Sequence, residues 1–203
     1  MPTDPYVDPR TGVLRNLLGI SDAKELATAE ARLAAAAERV LFAEGLVLGD
    51  FDVDHLRALH RHLFGEVYDW AGELRTVNMT KGGTLFALAE WVEPQARQLF
   101  ARLADEDFLQ GLDRDEFVMA AGRFLSDLNA LHPFREGNGR NQRIFLQLLA
   151  NRAGWQLDWT LVDRAENDAL SLAAMADRDA FAPMLHRLRH PAGQQDDSGP
   201  ARS

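Results

Sequence analysis

One break in a helical pattern constrains the fold of this chain more than any other feature. Phe117, Ala121, Phe124, Leu128 and Leu131 recur at steps of three and four, which predicts an amphipathic helix. Asp113 with Glu116 three residues on reads as a capping box at its start. Pro133 disfavours helical geometry at His132, so the helix should end there and present the imidazole at its C-terminal rim. Ile144, Phe145, Leu148 and Leu149 then mark a second buried helix. The interruption, Leu131 to Arg143, reads LHPFREGNGRNQR, so a His, a carboxylate, a Gly-Asn-Gly turn and two arginines are crowded between two core helices.

That crowding has chemical consequences. A helix N-terminus carries free N–H groups and about half a positive charge, which makes it a ready anion site. Gly137 and Gly139 allow a tight turn and close approach to a ligand. At about 100° per residue, Arg140, Arg143 and Gln147 fall on one side of the second helix, away from its apolar arc. Two guanidiniums beside a Gly-Asn-Gly turn form a cradle for several phosphates. Glu136 is an anion in that cradle, and it fits there if a hard cation such as Mg²⁺ bridges it to the phosphates.

Taken singly, a His, a Glu or one Gly-x-Gly would be read as a capping turn with surface charges. Together, His132-Pro133-Phe134-Arg135-Glu136-Gly137-Asn138-Gly139-Arg140-Asn141-Gln142-Arg143 resembles the Fic-family motif H-x-F-x-(D/E)-G-N-G-R-x-x-R, and every defined position matches. The resemblance implies transfer of AMP from ATP to a Tyr, Thr or Ser hydroxyl of a target protein, with pyrophosphate leaving. His132 would be the base, Glu136 the Mg²⁺ ligand, and Arg140 and Arg143 the holders of the β- and γ-phosphates. The amides around Gly137, Asn138 and Gly139, with the Asn138 side chain, would receive developing charge. Phe134 would pack under the loop and fix the His, while Arg135 stands at a variable position without a role.

The rest of the chain is organised around this junction. Residues 1–12 are rich in Pro and Asp and read as an N-terminal extension. Residues 13–189 read as a single all-α domain with one small β-hairpin, and 190–203 as a disordered tail. Long helices are predicted over 23–44, from Asp52 or Asp54 onward, and over 90–106 with Trp91, Leu99, Phe100 and Leu103 inward. Shorter ones are predicted over about 162–177 and 181–188. His55, His60 and His62 do not stack on one helix face, so they are expected to be packing and surface residues. His186 and His190 stand four apart, but no third ligand accompanies them.

Between the second and third helices, residues 74–86 alternate loosely around Lys81-Gly82-Gly83 and predict a hairpin. YDWAGELR and KGGTLF resemble the segment that forms the active-site flap of Fic proteins. By that resemblance Thr80, Lys81, Gly82 and Gly83 would position an extended target segment by edge pairing.

Charge and composition narrow the partners. With 22 basic and 31 acidic residues the net charge is −9, which argues against a broad nucleic-acid or anionic-membrane footprint. The chain has no cysteine, hence no disulfide or thiolate chemistry. No apolar run approaches a membrane span and the first residues lack a signal-peptide core, so a cytoplasmic setting is expected.

Three other readings share parts of this pattern. A phosphotransferase of the same superfamily usually lacks the second Gly and the terminal Arg, here Gly139 and Arg143. A transferase using UTP or GTP would look the same, because the base pocket is not legible in the motif. A nucleotide-binding interaction module without transfer activity would be expected to lose the base or the metal ligand, and both are kept. Many Fic proteins also carry an inhibitory (S/T)-x-x-x-E-(G/N) helix. No segment here fits it: Val40 and Val162 stand where Glu44-Gly45 and Glu166-Asn167 need Ser or Thr, and Leu26 follows Ser21–Glu25. The resemblance therefore implies restraint by a small separate antitoxin.

Overall fold

The structure is a computed structural model and describes residues 4–46 and 49–191. In chain order it contains α1 (Ala23–Ala43), α2 (Val53–Phe64), β1 (Thr80–Lys81), β2 (Thr84–Leu85), α3 (Ala89–Asp105), α4 (Arg114–Leu131), α5 (Asn138–Arg152), β3 (Trp155–Leu157), α6 (Arg164–Ala173), α7 (Ala182–Leu188) and β4 (Arg189–Pro191). The all-α class expected from sequence is the observed one.

α4 and α5 form the centre. Phe117, Ala121 and Leu128 from α4 and Phe145, Leu146 and Leu149 from α5 are fully buried. They are covered by α2 on one side and by α3 and α7 on the other. The expected capping box closes the start of α4: Asp113 accepts from the backbone amides of Asp115 and Glu116, and Glu116 accepts from that of Asp113. Two of the four undefined motif positions turn out to be structural. Asn141 donates to the Leu56 carbonyl of α2 and Gln142 to the Leu128 carbonyl of α4, both at 3.2 Å, which locks α5 against its neighbours.

The ends of the chain differ from expectation. Residues 4–12 are not a free extension: Tyr6 is buried, Val7 bridges to Leu14, and the Tyr6 hydroxyl accepts from the Thr76 amide at 3.1 Å. At the other end, His190 and Pro191 belong to β4, which pairs antiparallel with β3 and makes a second two-stranded ladder that hydropathy did not reveal. Residues 192–203, the rest of the expected tail, lie outside the described residues. Trp91 was expected to point inward, yet it is 52% exposed at the start of α3. Among the described residues no helix is long and apolar enough to cross a membrane.

The hairpin is shorter than the 74–86 expected. Only Thr80–Lys81 and Thr84–Leu85 pair, around Gly82 and Gly83, which both have positive φ as a two-residue primed turn requires. Just before β1 the Met79 carbonyl still accepts from the Phe86 amide at 3.1 Å, and further back the chain turns to other partners: Arg75 donates to the Pro133 carbonyl and Thr76 to the Tyr6 hydroxyl.

Candidate active site

The junction between α4 and α5 is built from its backbone. His132 ends α4 in the left-handed region, at φ 46° and ψ 63°, instead of the extended geometry usual before proline. Its amide still reaches the Leu128 carbonyl at 3.1 Å. Gly137 precedes α5 at φ 77°, and a Cβ there would lie 2.5 Å from the Phe64 ring of α2. Gly137 is thus glycine for two independent reasons. Gly139 is different: its φ is ordinary, and a Cβ would meet nothing within 4 Å. It does not make the turn. Instead it leaves bare backbone in the first turn of α5, open to solvent and to any anion there.

The Asn138 side chain corrects an expectation. It is buried and fully occupied, with Oδ1 accepting from the Phe134 amide at 2.9 Å and Nδ2 donating to the Phe134 carbonyl at 2.7 Å. It therefore clamps the loop, and what it can offer an anion is its backbone. The Phe134 ring is buried, and the ring it stacks on, at 3.9 Å, is that of His60 and not the His132 it was expected to fix. Arg135, given no role by the motif, ion-pairs with Asp4 at 2.9 Å and ties the N-terminal segment to the loop.

His60 is the support that sequence reasoning passed over. Its Nδ1 accepts from the Gly72 amide, so the proton must sit on Nε2, which donates to the Glu136 carbonyl at 2.9 Å. One ring thus fixes both the start of the flap segment and the loop residue expected to hold a cation. Burial pushes its pKa down to about 4, in keeping with a neutral ring. His55 accepts from the Phe51 amide, and His62 bonds the Ala37 carbonyl of α1.

His132 lies under the flap. The Phe86 ring, just after β2, stacks on the imidazole at 3.9 Å and 12°. Burial lowers its pKa to about 4, with the Arg75 and Lys81 charges adding to the fall. Nδ1 is buried and makes no full hydrogen bond, although the Asn129 backbone is close enough to hold back part of the shift. Nε2 is the nitrogen left to take a proton.

On α5, Arg140, Arg143 and Gln147 do share one face. They line a cleft of about 530 Å³ whose other walls include Glu38 and Phe42 of α1 and Trp159. Burial, then the like charge of Arg140, disfavours the charged form of Arg143, while Glu38 and Asp168 favour it. Two like charges in a half-buried cleft are relieved by a bound polyanion. A larger groove of about 1400 Å³ runs between α3 and α4, but of the motif stretch it touches only Leu131, so it is not the chemical site.

The Glu136 side chain is exposed beside the α5 N-terminus, and its Oε1 accepts from the Gly137 amide at 3.0 Å. Among the described residues no cluster of three or more His, Asp or Glu could hold a cation alone. A single outward carboxylate fits Mg²⁺, a cation that takes most of its ligands from water and substrate phosphates. At the flap, Lys81 Nζ lies 2.8 Å from Asp168 on α6.

A helical domain that presents this loop at a helix–helix junction beneath a small hairpin has the arrangement of a Fic domain. The Fic/DOC family profile matches residues 50–150, and the chain belongs to that family. A probable protein adenylyltransferase of Sinorhizobium fredii is 45% identical over 91% of this chain and 95% of its own length. The protein adenylyltransferase VbhT of Bartonella schoenbuchensis is 42% identical over 91% of this chain, but the chain spans only 38% of that protein. The N-terminal Fic domain of a Bartonella quintana effector, solved with bound ADP, superposes with a TM-score of 0.87 at 29% identity, covering 93% of this chain and 95% of that one. A Bartonella tribocorum effector solved with AMPPNP gives 0.86 at 26% identity, covering 94% and 97%.

Proposed function

We propose that this chain transfers AMP from ATP to a Tyr, Thr or Ser hydroxyl of another protein. The observation that carries the reading is a neutral His132, stacked under the flap at the start of the motif, together with Arg140 and Arg143 lining one cleft at its end. The kinship with proteins named adenylyltransferases, and with Fic domains solved holding ADP and AMPPNP, supports it.

In this reading Arg140 and Arg143 hold the β- and γ-phosphates and so turn the α-phosphorus toward His132. His132 Nε2 takes the proton from the incoming hydroxyl as its oxygen bonds the α-phosphorus and the bond to pyrophosphate breaks. The free amides of the opening turn of α5 receive the charge that develops on the phosphoryl oxygens. The exposed edge of β1, with Thr80 and Lys81, pairs with the target backbone, and Gly82-Gly83 sets the tight turn that holds that edge. Glu136 would hold Mg²⁺, which supplies a Lewis acid that neutralises phosphate charge.

The test is incubation with ATP labelled in the α-phosphate and a bacterial lysate. A labelled protein band that disappears with excess chelator, and in Glu136→Ala, is the expected result. Label carried from the γ-phosphate instead would replace the reading with phosphotransfer, and transfer undiminished by chelator would remove Glu136 from its role.

The same reading extends to regulation by a separate antitoxin. Self-restraint by the degenerate Ser21–Glu25 segment finds little support, because Glu25 is exposed in the first turn of α1. The carboxylate that lines the cleft beside Arg143 is Glu38, about 20 Å further along that helix. Phe42, which lines the cleft, and Leu161, next to its Thr160 wall, are exposed, a suitable seat for the apolar face of a partner helix. Expression of the chain alone is expected to slow bacterial growth, with relief by co-expression of a short neighbouring reading frame carrying the missing motif. A large rise in transfer by isolated Glu25→Ala would defeat the separate-partner reading.

A further inference from the structure

Arg75 is 2% exposed and makes no ion pair among the described residues. A buried guanidinium without a carboxylate is costly, and burial disfavours its charged form. What it has instead is carbonyl oxygens. Nε donates to His132 at 2.7 Å, Nη1 to Val77 at 2.6 Å, and Nη2 to both Leu131 and Ala87. Its own amide donates to Pro133 at 2.9 Å. Val77 and Ala87 are the two roots of the hairpin, whereas Leu131, His132 and Pro133 are the end of α4 and the start of the loop.

This geometry does three things at once. The planar fork caps the C-terminal carbonyls of α4, where a positive charge is favoured. It holds the left-handed backbone of His132, a conformation that is uncommon for a non-glycine residue and disfavoured before proline. It also refers both roots of the flap to the same rigid plane.

We propose that Arg75 is a positioning residue that sets the flap and the His132 imidazole at one fixed spacing, so that a hydroxyl held by the flap arrives within reach of Nε2. The inference rests on the transfer reading above and adds a residue that does not touch the reacting atoms. The charge of Arg75 also faces the imidazole, together with Lys81, and both disfavour its protonated form.

Arg75→Met and Arg75→Lys separate this from a merely structural role. Lysine keeps the charge but loses the planar fork that reaches four carbonyls. In Arg75→Met, kcat for protein transfer is expected to fall about 100-fold, the scale of a misplacement of about 1 Å, with KM for ATP within about threefold. Arg75→Lys is expected to recover part of that loss. The imidazole titration of His132 followed by NMR needs no turnover: its midpoint should rise in Arg75→Met and stay near the native value in Arg75→Lys. A folded Arg75→Met with native kcat, or with an unmoved His132 titration, would overturn the proposal. Should Arg75→Met not fold, Arg75→Lys decides alone, and native kcat in it overturns the idea. If the native protein itself transfers nothing, the functional reading has failed, and the His132 titration still decides whether Arg75 governs the imidazole.

Discussion

His132→Ala is expected to lower AMP transfer by about 10²–10⁴-fold, the usual contribution of a positioned base, with ATP affinity changed by no more than about threefold. The contrast follows from the layout. The imidazole is stacked on Phe86, whereas Arg140 and Arg143 line a cleft whose walls do not include His132. The pH profile carries a second signature. A base works only in its neutral form, and burial holds His132 at about 4, so the neutral form dominates at every pH above that value. Transfer measured at saturating ATP and metal should therefore show no loss from His132 between about pH 8 and 5.5, and should fall as pH drops through about 4. An unperturbed histidine would already have lost half its activity near pH 6.5. Wild-type transfer rates in His132→Ala would remove the residue from the chemistry altogether, and a midpoint near 6.5 would show that the imidazole is not desolvated.

The second large effect is on stability. Gly137→Ala forces a side chain into the left-handed region at φ 77° and sets its Cβ 2.5 Å from the Phe64 ring. That ring cannot easily give way, since Phe64 is buried and lies 4.7 Å from the His60 ring. The conformational term costs about 1–2 kcal/mol and overpacking about 1–3 kcal/mol, so a loss of about 2–5 kcal/mol is expected in denaturant unfolding. Gly139→Ala makes the internal control. With ordinary φ and open space around its Cβ, it should gain up to about 1 kcal/mol from helix propensity. Its cost should appear only in nucleotide binding, because the new methyl stands where an anion approaches the amides. Equal denaturation midpoints for Gly137→Ala and the native chain would show that Phe64 yields and that the close approach is unimportant.

The hydrophobic periods of α4 and α5, the capping box at Asp113 and the helix stop before Pro133 were all legible in the sequence. Each depends on residues within a few positions of one another, so local rules suffice. The same holds for the primed turn at Gly82-Gly83, and for Arg140, Arg143 and Gln147 sharing one helical face. Residues that support the site from a distance were not legible. His60 stands 76 residues from the carbonyl it holds, and Arg75 is 57 from the His132 oxygen. Nothing in HLRALHRHLF or GELRTVN distinguishes these from surface charges until the chain is folded.

Local reading also misassigned some partners. Asn138 looked like an anion donor because it sits in the loop, but packing turned its amide inward onto Phe134. Trp91 looked like a core residue because it is large and apolar, but at the start of α3 it is left exposed. By itself the sequence determined which helices form, where they stop, and which ionic groups converge on one junction, because periodicity, capping and motif spacing are short-range properties. The tertiary structure alone decided which of those groups face a ligand and which are used up internally. That choice depends on donors and acceptors brought together from distant parts of the chain, and each buried polar atom is satisfied only by what the fold places beside it.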